Sequence, residues 1–168
     1  VNKHNVPISL AGNSFFWSND NWGGERYYTP EAVEWLKNDW NTTIVRAAMG
    51  VDEQGGYLSN KPSNKNRVKT IVQSAIDQGI YVIIDWHSHH AEDFTEEAII
   101  FFEEMATLYG NYDNIIYEIY NNFSERCANS IHLKLLSLTL SLQKEGRYVR
   151  HLQLKIIFPN SLAHKQKT

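Results

Sequence analysis

The order of apolar and polar residues over positions 1–121 predicts alternating strands and helices. Residues 6–11 are short and apolar enough for a strand leading toward Trp17. Thr29-Pro30-Glu31 reads as a helix start, with a capping hydroxyl, a proline at the first helical position and an acid in the first turn. Ala32, Val33, Leu36 and Trp40 then recur at helical spacing. Thr43 to Met49 is an almost unbroken apolar run, as a parallel strand buried on both faces requires. Val68, Ile71, Val72, Ala75 and Ile76 mark a second amphipathic helix that stops at Gly79. Ile80 to His87 is a third strand, Thr95 to Tyr109 a third helix stopped at Gly110, and Asn114 to Asn121 a fourth strand.

This βαβαβαβ order implies a parallel sheet with helices packed outside it, either doubly wound or closed as a barrel. Two features favour the barrel. No glycine-rich phosphate loop follows the first strand, and polar or aromatic side chains gather at the carboxyl ends of successive strands: Trp17, Arg46, Asp85 to His87, and Asn121. A (β/α)8 barrel assembles its site at that face. Four strands in 121 residues are about half of the roughly 250 residues a whole barrel takes, so the fold class is α/β, the N-terminal half of a (β/α)8 barrel.

Composition adds a seam to this pattern. Residues 1–121 hold 17 acids and 8 bases, a net of −9, whereas residues 122–168 hold 2 and 8, a net of +6. All five Trp lie in the first segment and the single Cys127 in the second. One cysteine excludes an internal disulfide and a thiolate-rich metal or iron-sulfur site. A net charge of −3 gives no reason to expect nucleic acid. No run of about 18 apolar residues predicts a membrane span, and no signal peptide is legible. The start at Val1 is expected to mark a mature or excised piece. The expected organisation is therefore a folded unit at 1–121 followed by a divergent tail at 122–168.

Four motifs then stand in order: Leu10-Ala11-Gly12-Asn13-Ser14-Phe15-Phe16-Trp17-Ser18, Ile44-Val45-Arg46-Ala47-Ala48-Met49-Gly50, Val82-Ile83-Ile84-Asp85-Trp86-His87-Ser88-His89, and Ile115-Ile116-Tyr117-Glu118-Ile119-Tyr120-Asn121. Together they resemble glycoside hydrolase family 5, specifically its bacterial-type endo-β-1,4-glucanases (cellulases), over residues 1 to about 121. The resemblance implies a (β/α)8 barrel that hydrolyses β-1,4-glucan with retention. It implies a Glu acid/base after the fourth strand and a Glu nucleophile after the seventh, no cofactor, a β-1,4-glucan partner and secretion.

Each residue type fits that chemistry. A glycosidic bond needs a proton for the leaving oxygen and a carboxylate for the developing cation, about 5–5.5 Å apart in retaining enzymes. Arg46 resembles the arginine that braces the nucleophile, and an Arg inside an apolar strand survives only when paired. His87 resembles the substrate-binding histidine, and Asn121 the asparagine that grips the sugar 2-hydroxyl. Trp17 and Tyr57 are candidate sugar-stacking rings, and Trp22 and Trp86 are assigned to neither cleft nor core. Trp35 and Trp40 are expected to pack. His87-Ser88-His89-His90 invites a zinc reading, since imidazoles suit zinc. No His-Glu-x-x-His motif accompanies it, so no metal is expected. His89 is read as supporting the site, His90 as a loop residue, and Asp85 and Glu118 as supporting acids.

The pattern breaks after the fourth strand. Where the family motif runs Asn-Glu-Pro, Asn121 is followed by Asn122 and Phe123. An amide cannot deliver a proton. Glu118 lies about 13 Å back along the strand, at roughly 3.3 Å per residue. Two readings of the tail stay open, a frame or splice change after codon 121 and a small separate module. Neither supplies a recognisable nucleophile. The chain alone is thus expected to be inactive, or to act as a non-catalytic glucan-binding fragment, with a metallohydrolase as a third class. An open half-barrel is also expected to self-associate through its strand edges.

Overall fold

The structure, a computed structural model, describes residues 7–119. Four parallel strands lie side by side in sequence order: β1 (Gly12–Ser14), β2 (Ile44–Gly50), β3 (Tyr81–His87) and β4 (Ile115–Glu118). Between them run α1 (Pro30–Trp40), α2 (Lys61–Gln78) and α3 (Thr95–Tyr109), with short 3-10 turns at Glu25–Tyr27 and Ala91–Phe94. This is the predicted alternation.

The local signals act as read at most boundaries. Thr29 caps α1, its hydroxyl accepting from the Ala32 amide at 3.2 Å, with Pro30 inside the first turn. Asn60 caps α2 in the same way through the Ser63 amide, and Gly79 closes that helix at φ +67°, a left-handed conformation that suits glycine. Gly110 also follows α3, but with φ −61°, so that helix ends without a left-handed residue.

The first strand sits later than residues 6–11. Pro7 has no amide to offer a ladder. Pairing instead begins where Ala11 exchanges bonds with Thr43, its amide meeting the Thr43 hydroxyl at 2.9 Å and its carbonyl accepting from the Thr43 amide at 2.8 Å. Gly12 lies so close to the Ile44 carbonyl that a side chain there would collide with it.

The core lies between the sheet and the helices. Val45, Ala47 and Met49 of β2 alternate inward toward Val68, Ile71 and Val72 of α2, and Val82, Ile84 and Trp86 of β3 do the same toward Phe101 and Met105 of α3. Trp35 and Trp40 do not join it. They are 52% and 59% exposed, with ring centroids 5.6 Å apart, because Val33 is the position of α1 whose helical phase faces the sheet. No helix among the described residues is long and apolar enough to cross a membrane.

Candidate active site

The other face of the same strands carries polar groups. A strand alternates with period two, so Arg46 shares a face with Ala48 and Gly50, and Asp85 and His87 share one with Ile83. Pairing sets Ala48 beside Asp85, Asp85 beside Glu118 and Gly50 beside His87. The Asn19 amide fills the space that a side chain at Gly50 would take, and on the same face the side chains of Arg46, Asp85 and His87 converge.

Arg46 is the centre of this cluster. Its Nε donates to Glu118 Oε2 at 2.6 Å, and its Nη2 lies 2.9 Å from Asp85 Oδ2 and 3.3 Å from His87 Nδ1. Asp85 Oδ2 also meets His87 Nδ1 at 2.7 Å. Burial works against the charge on Arg46, but Asp85 and Glu118 outweigh it and hold the guanidinium more firmly protonated than usual. Burial pushes the Asp85 carboxyl up to about 6, against the opposing pull of His87 and Arg46. Asp85 is fully buried, and its Oδ1 has no hydrogen-bond partner among the described residues.

Aromatic rings stand against this cluster. Trp17 meets His87 edge-on at 4.3 Å and His89 at 5.6 Å, and stacks on Trp22 at 5.4 Å with an interplanar angle of 14°. Trp22 is 40% exposed. The segment that carries both rings is tied down on two sides. Tyr28 directs its hydroxyl at the carbonyls of Phe16 and Ala48, 2.8 and 2.9 Å away. Arg67 of α2 donates to the Ser18 carbonyl at 2.7 Å and pairs with Asp20 at 2.6 Å, while the Ser18 hydroxyl donates to the buried Asn64 amide oxygen at 2.6 Å.

The structure therefore brings together Trp17, Arg46, His87 and His89. Tyr57 departs from its reading. Its ring is 3% exposed and packs edge-on against Trp86 and Phe101 at 5.3 and 5.6 Å, so it fills the core and offers no open face for a sugar. Trp86 is likewise core, at 0% exposure. Asn121 and Asn122, and the tail 122–168, lie outside the described residues. Among the described residues no three His, Cys, Asp or Glu side chains are placed to hold a metal ion. The sequence reading missed Tyr28, Asn64 and Arg67, and a loop-binding role leaves no local pattern by which to find them.

A family model described as Cellulase (glycosyl hydrolase family 5) matches residues 1–133. The chain belongs to glycosyl hydrolase family 5. The match runs past position 121, where the sequence reading ended the likeness. Endoglucanase Z of Dickeya dadantii is 58% identical over 113 residues, which are 67% of this chain and 26% of that protein. Endoglucanase A of Evansella cellulosilytica is 46% identical over 118 residues, 68% of this chain and 23% of that protein. The chain thus spans about a quarter of the length of these curated relatives. Among solved structures, the catalytic domain of Thermobifida fusca endoglucanase Cel5A matches with a TM-score of 0.73 and 26% identity, covering 86% of this chain and 48% of that one. A variant of the same enzyme in complex with cellotetraose matches at 0.74 and 27%, covering 88% and 48%. The described sheet and helices correspond to the N-terminal part of the family 5 (β/α)8 barrel.

Proposed function

We propose that this chain carries the sugar-binding wall of an endo-β-1,4-glucanase site and does not cleave glucan by itself. One observation carries the reading: the Arg46, Asp85, His87 and Glu118 cluster is met at His87 by the Trp17 ring, on which Trp22 stacks. Polar groups beside an aromatic face suit a sugar, whose hydroxyls need hydrogen bonds and whose C–H face stacks on rings. The cellotetraose complex of a structural relative agrees with a glucan of this class.

Inactivity follows from residue chemistry. Asn122 stands where the acid/base Glu is expected, and Arg46 is already occupied by two carboxyls of its own sheet. Retaining hydrolysis needs two carboxyl groups across the bond. Asn121 would hold the 2-hydroxyl. Because the polymer is too large to enter a cell, the reading includes action outside it; recovery of the protein only from the cell interior of a producing strain would count against that part.

Two measurements test the proposal. Pure chain on carboxymethyl-cellulose should release no reducing sugar above background, and measurable turnover would end the claim of inactivity. Electrophoresis through a gel containing β-glucan should retard the chain, and Trp17→Ala should reduce the retardation. An unretarded wild-type band would remove the binding role.

A further inference from the structure

Asp85 is an expensive residue for a purely structural part. Its carboxyl is fully buried, uses one oxygen for two contacts and leaves the other without a hydrogen bond among the described residues. A buried polar atom left unmatched costs about 1–3 kcal/mol, and unsatisfied groups that persist call for an explanation in function. An amide of the same shape would accept the same contacts without the desolvation of a charge.

The explanation lies in two described neighbours of His87 Nδ1. Arg46 Nη2, at 3.3 Å, can only donate, and its shorter contact, at 2.9 Å, is to Asp85 Oδ2 rather than to the ring. Asp85 Oδ2, at 2.7 Å, can only accept while ionised. An unprotonated Nδ1 would therefore set its lone pair against that of the carboxylate at hydrogen-bond distance. The contact is bonding in two ways: Nδ1–H donates to the carboxylate, or a protonated Asp85 donates to the bare Nδ1. In the first state Nε2 carries the lone pair and accepts. In the second Nε2 carries the hydrogen and donates.

We propose that Asp85 is a positioning residue that fixes the tautomer of His87, holding the hydrogen on Nδ1 and the lone pair on Nε2, and that protonation of the pair converts Nε2 from acceptor to donor. The carboxyl does not act on a ligand itself. It decides which kind of hydrogen bond His87 Nε2 can make. Among the described residues, the charged and titratable groups that face it are Arg46 from β2, Glu118 from β4, His87 on its own strand and the buried Tyr28 hydroxyl from the loop after β1. The ion pair of Glu118 with Arg46 Nε leaves Nη2 of the same guanidinium to hold Asp85 Oδ2 in line with the ring. Burial, which lifts the Asp85 carboxyl to about 6, puts the conversion within a mild pH range.

The tautomer stands on this geometry alone, whereas any effect on glucan retention also rests on the function proposed above, and the two are read separately. Nitrogen-15 NMR of the labelled chain distinguishes pyrrole-type from pyridine-type ring nitrogens. The His87 signals among the seven histidines are those missing in His87→Gln. At pH 7.5 the wild type should show a pyrrole-type Nδ1 and a pyridine-type Nε2. A histidine side chain with no partner at Nδ1 prefers its hydrogen on Nε2, so Asp85→Ala should shift His87 toward hydrogen on Nε2. A wild-type spectrum with hydrogen on Nε2 overturns the proposal, and that result needs no variant to fold. An unchanged His87 spectrum in a folded Asp85→Ala chain overturns it equally. Retardation in β-glucan should then change between pH 5 and 7 in the wild type and be flatter in Asp85→Asn. No wild-type retardation at any pH would remove the glucan reading and leave the tautomer result standing.

Discussion

Two carboxyl groups of this chain respond to pH in opposite directions. Glu104 lies between Lys65 and Lys69, at 2.6 and 2.7 Å. Burial is the largest single influence and raises its carboxyl, but the two ammonium groups together outweigh it and hold it below the usual glutamate value of 4.5. Such a group adds stability above the ordinary value and loses it as pH falls through the depressed one. Glu104→Gln should flatten the acid limb of Tm against pH below about 4.5; an unchanged limb would deny the pair any weight. Asp85 has the reverse sign, because the folded state binds its proton more tightly than the unfolded state. Its contribution is present below the ordinary 3.8 and is lost as pH rises through about 6. Tm profiles of wild type and Asp85→Asn should therefore draw apart between pH 4 and 6, with the wild type losing ground. At this scale the chemistry of Arg46, Asp85, His87 and Glu118 was visible as residue types, yet their contacts were not: Arg46 and Glu118 are 72 positions apart.

Helix starts and stops are where the sequence speaks most directly, because a cap involves only three or four successive residues. Thr29 was read as a cap from its neighbours alone, and its hydroxyl holds the Ala32 amide. Thr29→Ala should cost about 1 kcal/mol, a typical value for a lost cap, measured by denaturant unfolding. The first strand shows the opposite case. Its position depends on β2, since Gly12 is placed by the approach of the Ile44 carbonyl and not by its own neighbours. Gly12→Ala should separate β1 from β2 and expose the Phe15 amide, which is bonded to the Arg46 carbonyl at 2.9 Å, to rapid hydrogen exchange. Full protection of that amide in the variant would contradict the placement. Trp35 and Trp40 fail for a related reason: spacing gives a helix, but the face that turns inward is fixed by what it packs on.

At the scale of the molecule, the four described strands form a sheet with β1 and β4 at its ends. Among the described residues neither has a second strand partner, and unpaired edges of parallel apolar strands invite pairing with other chains. The purified chain should therefore show an apparent mass above 19.5 kDa that rises with concentration in light scattering. A monomer at every concentration would refute this. Where the likeness to the family ends was less legible. The charge seam lies at 121, whereas the family match covers residues 1–133.

Element order, helix caps and the supply of an arginine, two acids, histidines and tryptophans to the ends of strands were determined by the sequence alone. These depend on periods of 2 and 3.6 residues and on contacts within a turn. Only the tertiary structure decided that Arg46 joins Glu118 and Asp85, that Tyr57 fills the core beside Trp86, and that Trp17 rests on His87 and Trp22. Those outcomes turn on strand register and on which faces meet, and both are set by groups tens of residues apart in the chain.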